Sequence, residues 1–281
     1  MAQQDTIWRK GGLISLNLTQ VSLTNWAAGG ENSVAANGIL NYFANYKRGK
    51  NVWDNSIDLG YGMLKQGKDD VRKSDDKIDI SSKYGREAFK NWYYSALINF
   101  RSQFTKGYNY PNDSVVISNF LAPAYITFAI GMDYKPSSHF SLFLSPAALR
   151  WVIVNDDDLN SVGAFGVDSG EVVETEAGAL LKATLNADLA SNVNLQTSLD
   201  LYSNYLEDPQ NVDVNWQLLL SVKISKFFSA SLSTQLIYDD NTMLTFYKSD
   251  KQTIDHVGPG TQFKEVLGIG IAYKFAYFGV K

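Results

Sequence analysis

Alternation with period two, sustained over segments of ten residues or more, is the feature that most limits what this chain can become. In "WDNSIDLGYGM" (53–63), Trp53, Ile57, Leu59, Tyr61 and Met63 share one face, and Asp54, Ser56, Asp58, Gly60 and Gly62 the other. "VNLQTSLDLYS" (193–203) sets Val193, Leu195, Leu199 and Leu201 against Asn194, Gln196, Ser198 and Asp200. "VDVNWQLLLSVKIS" (212–225) sets Val214, Trp216, Leu218, Leu220, Val222 and Ile224 against Asp213, Asn215, Gln217, Ser221 and Lys223. Period two is the strand period; a helix repeats every 3.6 residues. Twelve such segments are predicted, near 12–24, 34–46, 52–64, 77–86, 92–104, 121–134, 140–152, 177–188, 193–204, 212–226, 228–239 and 262–275. Most exceed the five or six residues usual in soluble sheets. They match the roughly 9–11 residues that a tilted strand needs to cross a bilayer.

The connections add direction. After even-numbered segments they are short: "KRGKN", "EAFKN", "KPSSH", "LASN" and a tight turn at Phe227. After odd-numbered segments they are longer: "NWAAGGENS", then 65–76, 105–120, 153–176, 205–211 and 240–261. Short–long alternation puts every long loop at one end, as in a membrane barrel with short periplasmic turns and longer extracellular loops. An even number of strands then leaves both termini periplasmic. The expected fold is all-β: a single transmembrane antiparallel up-and-down β-barrel of about 12 strands. Residues 1–11 form a periplasmic segment, 12–275 the barrel and 276–281 a tail.

A soluble barrel also alternates, with its apolar face inward, so the aromatic and charged residues decide. Tyr46, Trp53, Trp92, Tyr273 and Phe275 fall near the short turns; Trp151, Tyr205 and Tyr238 fall near the long loops. Two bands at opposite strand ends look like the aromatic girdles of a membrane barrel. The polar face carries mid-strand charge at Asp54, Asp58, Asp79, Lys83, Arg101, Lys182, Asp188, Asp200 and Lys223. Such charge is costly in a dry core and ordinary in a lumen.

Composition narrows the function. With no cysteine and two histidines, His139 and His256, thiol chemistry and histidine-cluster metal sites are excluded. The net charge of −4 and the absence of a basic stripe argue against a nucleic-acid partner. No apolar leader is visible in "MAQQDTIWRK"; "AQQDT" reads as the start of a mature exported chain with Met1 added. The longest apolar run, "FLAPAYITFAIGM", contains a proline and is too short to span as a helix.

The segments "NWAAGGENS", "VWDNSIDLGYG", "SDDKIDISSKYG", "WYYSALINFRSQFTKGY", "LAPAY", "LSPAA" and "KEVLGIGIAYKF" run from about residue 8 to 275. In them the chain resembles a Bacteroidota family of outer-membrane β-barrel proteins of unknown function, the domain of unknown function 3078 type. The resemblance implies an outer-membrane location and brings no catalytic residues with it.

Candidate chemistry is sparse. Gly29 and Gly30 lack the strand–helix context of a phosphate loop. They read as a tight extracellular corner, with Trp26 at the interface and Glu31 facing water. This distinctive loop, Trp26, Gly29, Gly30 and Glu31, is the candidate contact for a partner. Carboxylates at 68–70, 74–76 and 155–158 fall in predicted loops, without EF-hand spacing. They are read as solvated charge, and a weak surface Ca²⁺ site is the one metal reading they support; no cofactor is expected. Ser137, Ser138 and Ser141 lie near His139 in sequence, but a serine nucleophile needs a base within hydrogen-bond reach and no G-x-S-x-G elbow occurs.

The functional expectation is a non-enzymatic barrel in contact with outer-membrane lipids, serving as an accessory or structural subunit of a larger envelope assembly with other envelope proteins. The alternative is a narrow channel or small-solute uptake barrel whose selectivity is set by Asp58, Asp79, Lys83, Arg101, Asp200 and Lys223. An outer-membrane lipid hydrolase ranks third. The near balance of lumen charge favours the first, because selective pores carry rings of one sign.

Overall fold

A computed structural model describes residues 7–24, 31–110, 112–225, 228–248 and 253–279. Trp26, Gly29, Gly30 and the turn predicted at Phe227 lie outside the described residues. Twelve strands close into one antiparallel ring. In chain order they are β1 (Ile7–Val21), β2 (Ser33–Arg48), β3 (Asn51–Gln66), β4 (Arg72–Phe89), β5 (Trp92–Ser102), β8 (Ala124–Tyr134), β9 (Phe140–Ile153), β10 (Val173–Ala190), β11 (Val193–Asn204), β12 (Asp213–Lys223), β13 (Phe228–Tyr238) and β16 (Gln262–Gly279). Each pairs with the next along the chain, and β16 returns to β1, so the topology is up-and-down as the alternation predicts. The long loops hold two hairpins, β6 (Gly107–Tyr108) with β7 (Val116–Ser118) and β14 (Met243–Tyr247) with β15 (Ile254–Pro259), and a short helix, α1 (Asp157–Ser161).

The face assignment follows the sequence. On β16, Leu267, Ile269, Ile271 and Tyr273 point outward and are 60–72% exposed. On β1, Ile14, Leu16 and Leu18 are exposed, whereas Leu13, Ser15 and Asn17 are buried in the interior. Apolar side chains outside and polar ones inside is the reverse of a water-soluble barrel. The aromatic bands cluster. Trp8 packs on Tyr46 (5.2 Å between ring centroids) and on Trp53 (6.2 Å), and Trp92 on Tyr134 (5.0 Å). Phe275 stacks on Tyr42 (6.2 Å) and on Tyr273 (6.1 Å). Trp151 alternates with the inward Arg150, Tyr205 is exposed, and Tyr238 borders the interior at the loop end.

Several boundaries differ from expectation. β1 begins at Ile7 and β16 runs to Gly279, beyond the predicted 12–275 span. β4 starts at Arg72, so Ser74, Asp75 and Asp76 belong to a strand and not to a solvated loop. The connection between β3 and β4 shrinks to residues 67–71, no longer than the turn at 135–139, which weakens the short–long contrast there. Both carboxylates are used. Asp75 accepts from Lys264 Nζ of β16 (2.7 Å) and Asn37 (3.1 Å); Asp76 accepts the backbone N–H of Phe104 (2.7 Å) and Thr105 (3.0 Å). The inward glycines do not simply free space. A Cβ on Gly268 would stand 2.5 Å from Asn17 Cγ, so glycine lets that amide lie flat across the seam.

The interior also holds an apolar patch that a polar lumen face does not suggest: Leu97, Ala129, Phe143, Ala148, Leu180 and Tyr202. A bulge in β9 helps build it. The β9–β10 ladder jumps from Ala148↔Gly178 to Ser145↔Leu180, leaving Pro146 and Ala147 outside the register. Proline cannot donate to a ladder, and a bulge is where a sheet tolerates it.

A second apolar cluster lies at the loop end. Val152, Val154, Leu159 and Val167 pack with Ala122, and Val116, Ala164 and Phe165 lie against them. The loops at 103–123 and 154–172 therefore form one cap. Asp156 organises it: its carboxylate accepts from Asn119 Nδ2 (2.8 Å) and from the Leu159 backbone N–H (3.4 Å), capping α1, with Lys106 Nζ at 4.0 Å. Burial pushes the Asp156 carboxyl up, but those hydrogen bonds and the Lys106 cation outweigh it and hold the group below the usual carboxylate range. Its stabilising contribution is therefore complete above about pH 4 and is lost as pH falls through the lowered folded value. Amide exchange of residues 154–172, corrected for intrinsic rates, is expected to accelerate below that pH ahead of the barrel strands. Asp156→Asn should remove the acid-specific step, and equal acid sensitivity in both proteins would refute the assignment.

Candidate functional site in the barrel lumen

Inward side chains of opposite walls meet in the middle of the barrel. β4 and β12 lie six places apart either way round the ring. Lys77 of β4 donates to the Gln217 side-chain oxygen of β12. Gln217 Nε2 in turn donates to Asp79 Oδ2 of β4 at 3.2 Å, and Asn99 Nδ2 of β5 donates to Asp79 Oδ1 at 2.8 Å. An amide suits this position because it offers an acceptor to the cation and a donor to the anion at once. The result is a polar bar across the lumen.

Two chambers meet at the bar. The one towards the long loops is about 350 Å³ and the one towards the short turns about 510 Å³. Both are bordered by Lys77, Asp79, Leu97, Lys182, Gln217 and Gln235, the side chains around the bar. Phe165 and Ile117 of the cap line the loop-side chamber, which is where the 153–176 loop contributes to the interior.

Most of the predicted lumen charges lie in these chambers with partners. Lys182 Nζ bridges both oxygens of Asp200 (2.8 and 2.9 Å). Lys83 Nζ pairs with Asp133 (2.7 Å) and donates to Ser141 Oγ (2.6 Å), and Ser141 donates to Asp133 (2.6 Å). Asp54 pairs with Lys135, Asp58 accepts from Asn41, and Asp188 accepts from Asn194 (2.9 Å). Asp58 and Asp79 stand opposite one another in the ladder. Lys223 differs from expectation: as the last residue of β12 it is exposed at the rim and borders neither chamber.

Several participants are not among the predicted lumen-lining residues. Arg150 bonds Glu176 (2.5 Å) and Asp213 (2.5 Å) and lies 4.0 Å from the Tyr202 ring centroid. Its neighbours Leu149 and Trp151 make the segment read as an apolar run. Gln217 does sit on the predicted polar face, but a search for charge passes over an amide. At the loop-side rim, carboxylate oxygens of Asp213, Asp239 and Asp240 lie within 4.8 Å of one another. Arg150 neutralises Asp213, and Asn211 Nδ2 donates to Asp240 (2.5 Å), so protein groups already serve this cluster.

His139 borders the short-turn chamber, and His256 lies on the β14–β15 hairpin outside both chambers. His139 Nδ1 contacts the Asn186 carbonyl oxygen (2.9 Å), and His256 Nδ1 contacts the Asp255 carboxylate (3.0 Å) while its ring stacks on Phe246 (4.5 Å). Ser137 Oγ accepts the backbone N–H of His139 (3.2 Å), and Ser141 is held by Lys83 and Asp133. Among the described residues neither imidazole is hydrogen-bonded to a serine hydroxyl.

Residues 18–108 match the profile of a family described as "Protein of unknown function (DUF3078)". No curated protein matches the chain by sequence. Among solved structures, the chain is similar to an outer membrane channel from Pseudomonas putida F1 (10% identity, 98% of this chain and 97% of that one, TM-score 0.37). It is similar too to the translocator domain of the autotransporter NalP from Neisseria meningitidis (11%, 98% and 90%, 0.36) and to outer membrane phospholipase A from Escherichia coli (12%, 94% and 89%, 0.34).

Proposed function

We propose that this chain, with its domain of unknown function, is a non-enzymatic outer-membrane barrel whose lumen is closed at rest, and that it serves as an accessory or structural subunit of a larger envelope assembly. The observation that carries the reading is the bar of Lys77, Gln217 and Asp79 joining opposite walls. A wide conducting pore keeps its lumen clear and its selective charges free to meet solute. Here Lys77 and Asp79 are both engaged by Gln217, and Lys182 by Asp200. The apolar outer wall with aromatic clusters supports placement in a bilayer. The engagement of both histidines away from serine supports a role without hydrolysis.

Purified protein in planar bilayers is expected to give no defined open state. Pull-down from native membranes is expected to recover other envelope proteins in fixed stoichiometry, and that recovery should fall when Trp26 and Glu31 are replaced. A stable unitary conductance in the wild-type protein would overturn the closed reading. It would favour the narrow channel, for which the two chambers flanking the bar are the supporting observation.

A further inference from the structure

The loop-side chamber contains a guanidinium with no ion pair within 4.0 Å among the described residues. Arg150 has Glu176 and Asp213, and Lys182 has Asp200. Arg101 of β5 lines the same chamber and faces the Tyr125 ring at 5.4 Å. Among the described residues it has no carboxylate within 4.0 Å and no hydrogen bond, and its Nε is buried. Asp79 stands opposite Arg101 in the ladder, yet its two oxygens accept from Asn99 and Gln217.

Removing a guanidinium from water is costly unless its donors find acceptors. Contact with an aromatic face offsets only part of that cost. The planar fork of Arg101 is the donor geometry that a carboxylate accepts with two parallel bonds. Around it the chamber offers amides of Gln103, Gln217 and Gln235 for hydroxyl groups, and the rings of Tyr125 and Tyr202 for an apolar face. Its volume of about 350 Å³ admits a molecule of monosaccharide size. The same chamber is bordered by Asp76, Asp79, Asp200, Asp213 and Asp239, so a dianion meets repulsion that a monoanion with neutral hydroxyls largely avoids.

We propose that the loop-side chamber binds a small hydroxylated carboxylate, of the sugar-acid class, with its carboxylate on the Arg101 fork. The chamber lies on the loop side of the bar, so the proposal goes beyond the closed-lumen reading and does not depend on it.

The test uses the full chain in detergent, titrated with sodium D-glucuronate by calorimetry, with D-glucose and inorganic phosphate as competitors for the same chamber. Saturable binding of glucuronate is expected, with no saturable glucose binding and weaker phosphate binding. Arg101→Gln should weaken glucuronate at least tenfold, and Arg101→Lys should recover only part of it, because an ammonium lacks the fork. Folding of each variant is checked by its heat-dependent shift on gels, and the variants are also compared by whether excess glucuronate raises the melting temperature. The proposal is overturned if folded wild-type protein does not bind glucuronate, if glucose or phosphate binds as well, or if Arg101→Gln binds undiminished. A conducting wild-type barrel would overturn the closed lumen and leave this binding result standing.

Discussion

Replacing Gln217 with alanine is expected to turn a silent barrel into one that conducts. Gln217 supplies both bonds that tie β12 to β4 across the lumen, one from Lys77 and one to Asp79. Alanine reaches neither, and the two chambers then share a passage where the amide stood. Lys77 and Asp79 remain on the same strand two residues apart and so on the same wall, and nothing else described joins them to β12. The variant should show resolvable unitary currents in planar bilayers with weak ion selectivity, since Asp58 and Asp79 face Lys77, Lys182 and Arg101 in near balance. The backbone ladder β11–β12–β13 does not depend on this side chain, so folding should be retained. A folded Gln217→Ala barrel that stays silent would mean that the cap of Phe165 and Ile117, not the bar, closes the molecule.

Asp133→Ala is expected to give the largest loss of stability. Asp133 is fully buried and shares a closed triangle with Lys83 and Ser141. Lys83 is itself buried and lies over the Phe143 ring at 5.6 Å. Removing the carboxylate leaves the Lys83 ammonium with the Ser141 hydroxyl as its hydrogen-bond partner and with Asp54, opposite it in the β3–β4 ladder and paired with Lys135, as the next carboxylate. Breaking a buried pair this way costs about 3–5 kcal/mol. The midpoint of urea unfolding in lipid vesicles should fall accordingly. Replacing both members, Lys83→Met with Asp133→Leu, should restore much of the loss, because two matched apolar groups carry no uncompensated charge. A single variant with wild-type stability would show that Asp54 and the solvent of the short-turn chamber compensate Lys83 in place of Asp133.

Why the wall was legible and the bar was not follows from range. Alternation is a property of neighbours, so Trp53 and Asp54 declare their faces without knowledge of the rest of the chain. All twelve predicted strands form, and their order follows from the connections. Which inward residues then meet across the lumen is not a local property. Lys77 and Gln217 are 140 residues apart and sit on opposite walls. Ring size, strand tilt and register decide their meeting, and none of these is written in either segment. Asp75 and Asp76 read as loop because the first residues of β4, RKSDDK, are polar on both faces and carry no alternation. Trp8 is not legible as a partner of Tyr46 and Trp53 because residues 1–11 read as a periplasmic segment outside the barrel. The hairpins β6–β7 and β14–β15 are too short, or too irregular, for periodicity to register.

Ring closure also governs how the molecule can keep company. Where a barrel strand has a neighbour on both sides, no run of free N–H and C=O groups invites another sheet to join, so the usual route by which strands recruit strands is shut along the wall. Nor does the wall's apolar character draw a second protein to it, because lipid tails are as apolar as Leu267 or Ile269 and gain nothing by being displaced. Attraction between proteins within the bilayer must therefore come from close packing or from polar contacts, and the face that meets water is the natural place to find both. The cap is the part of this chain with shape, polarity and backbone to offer there.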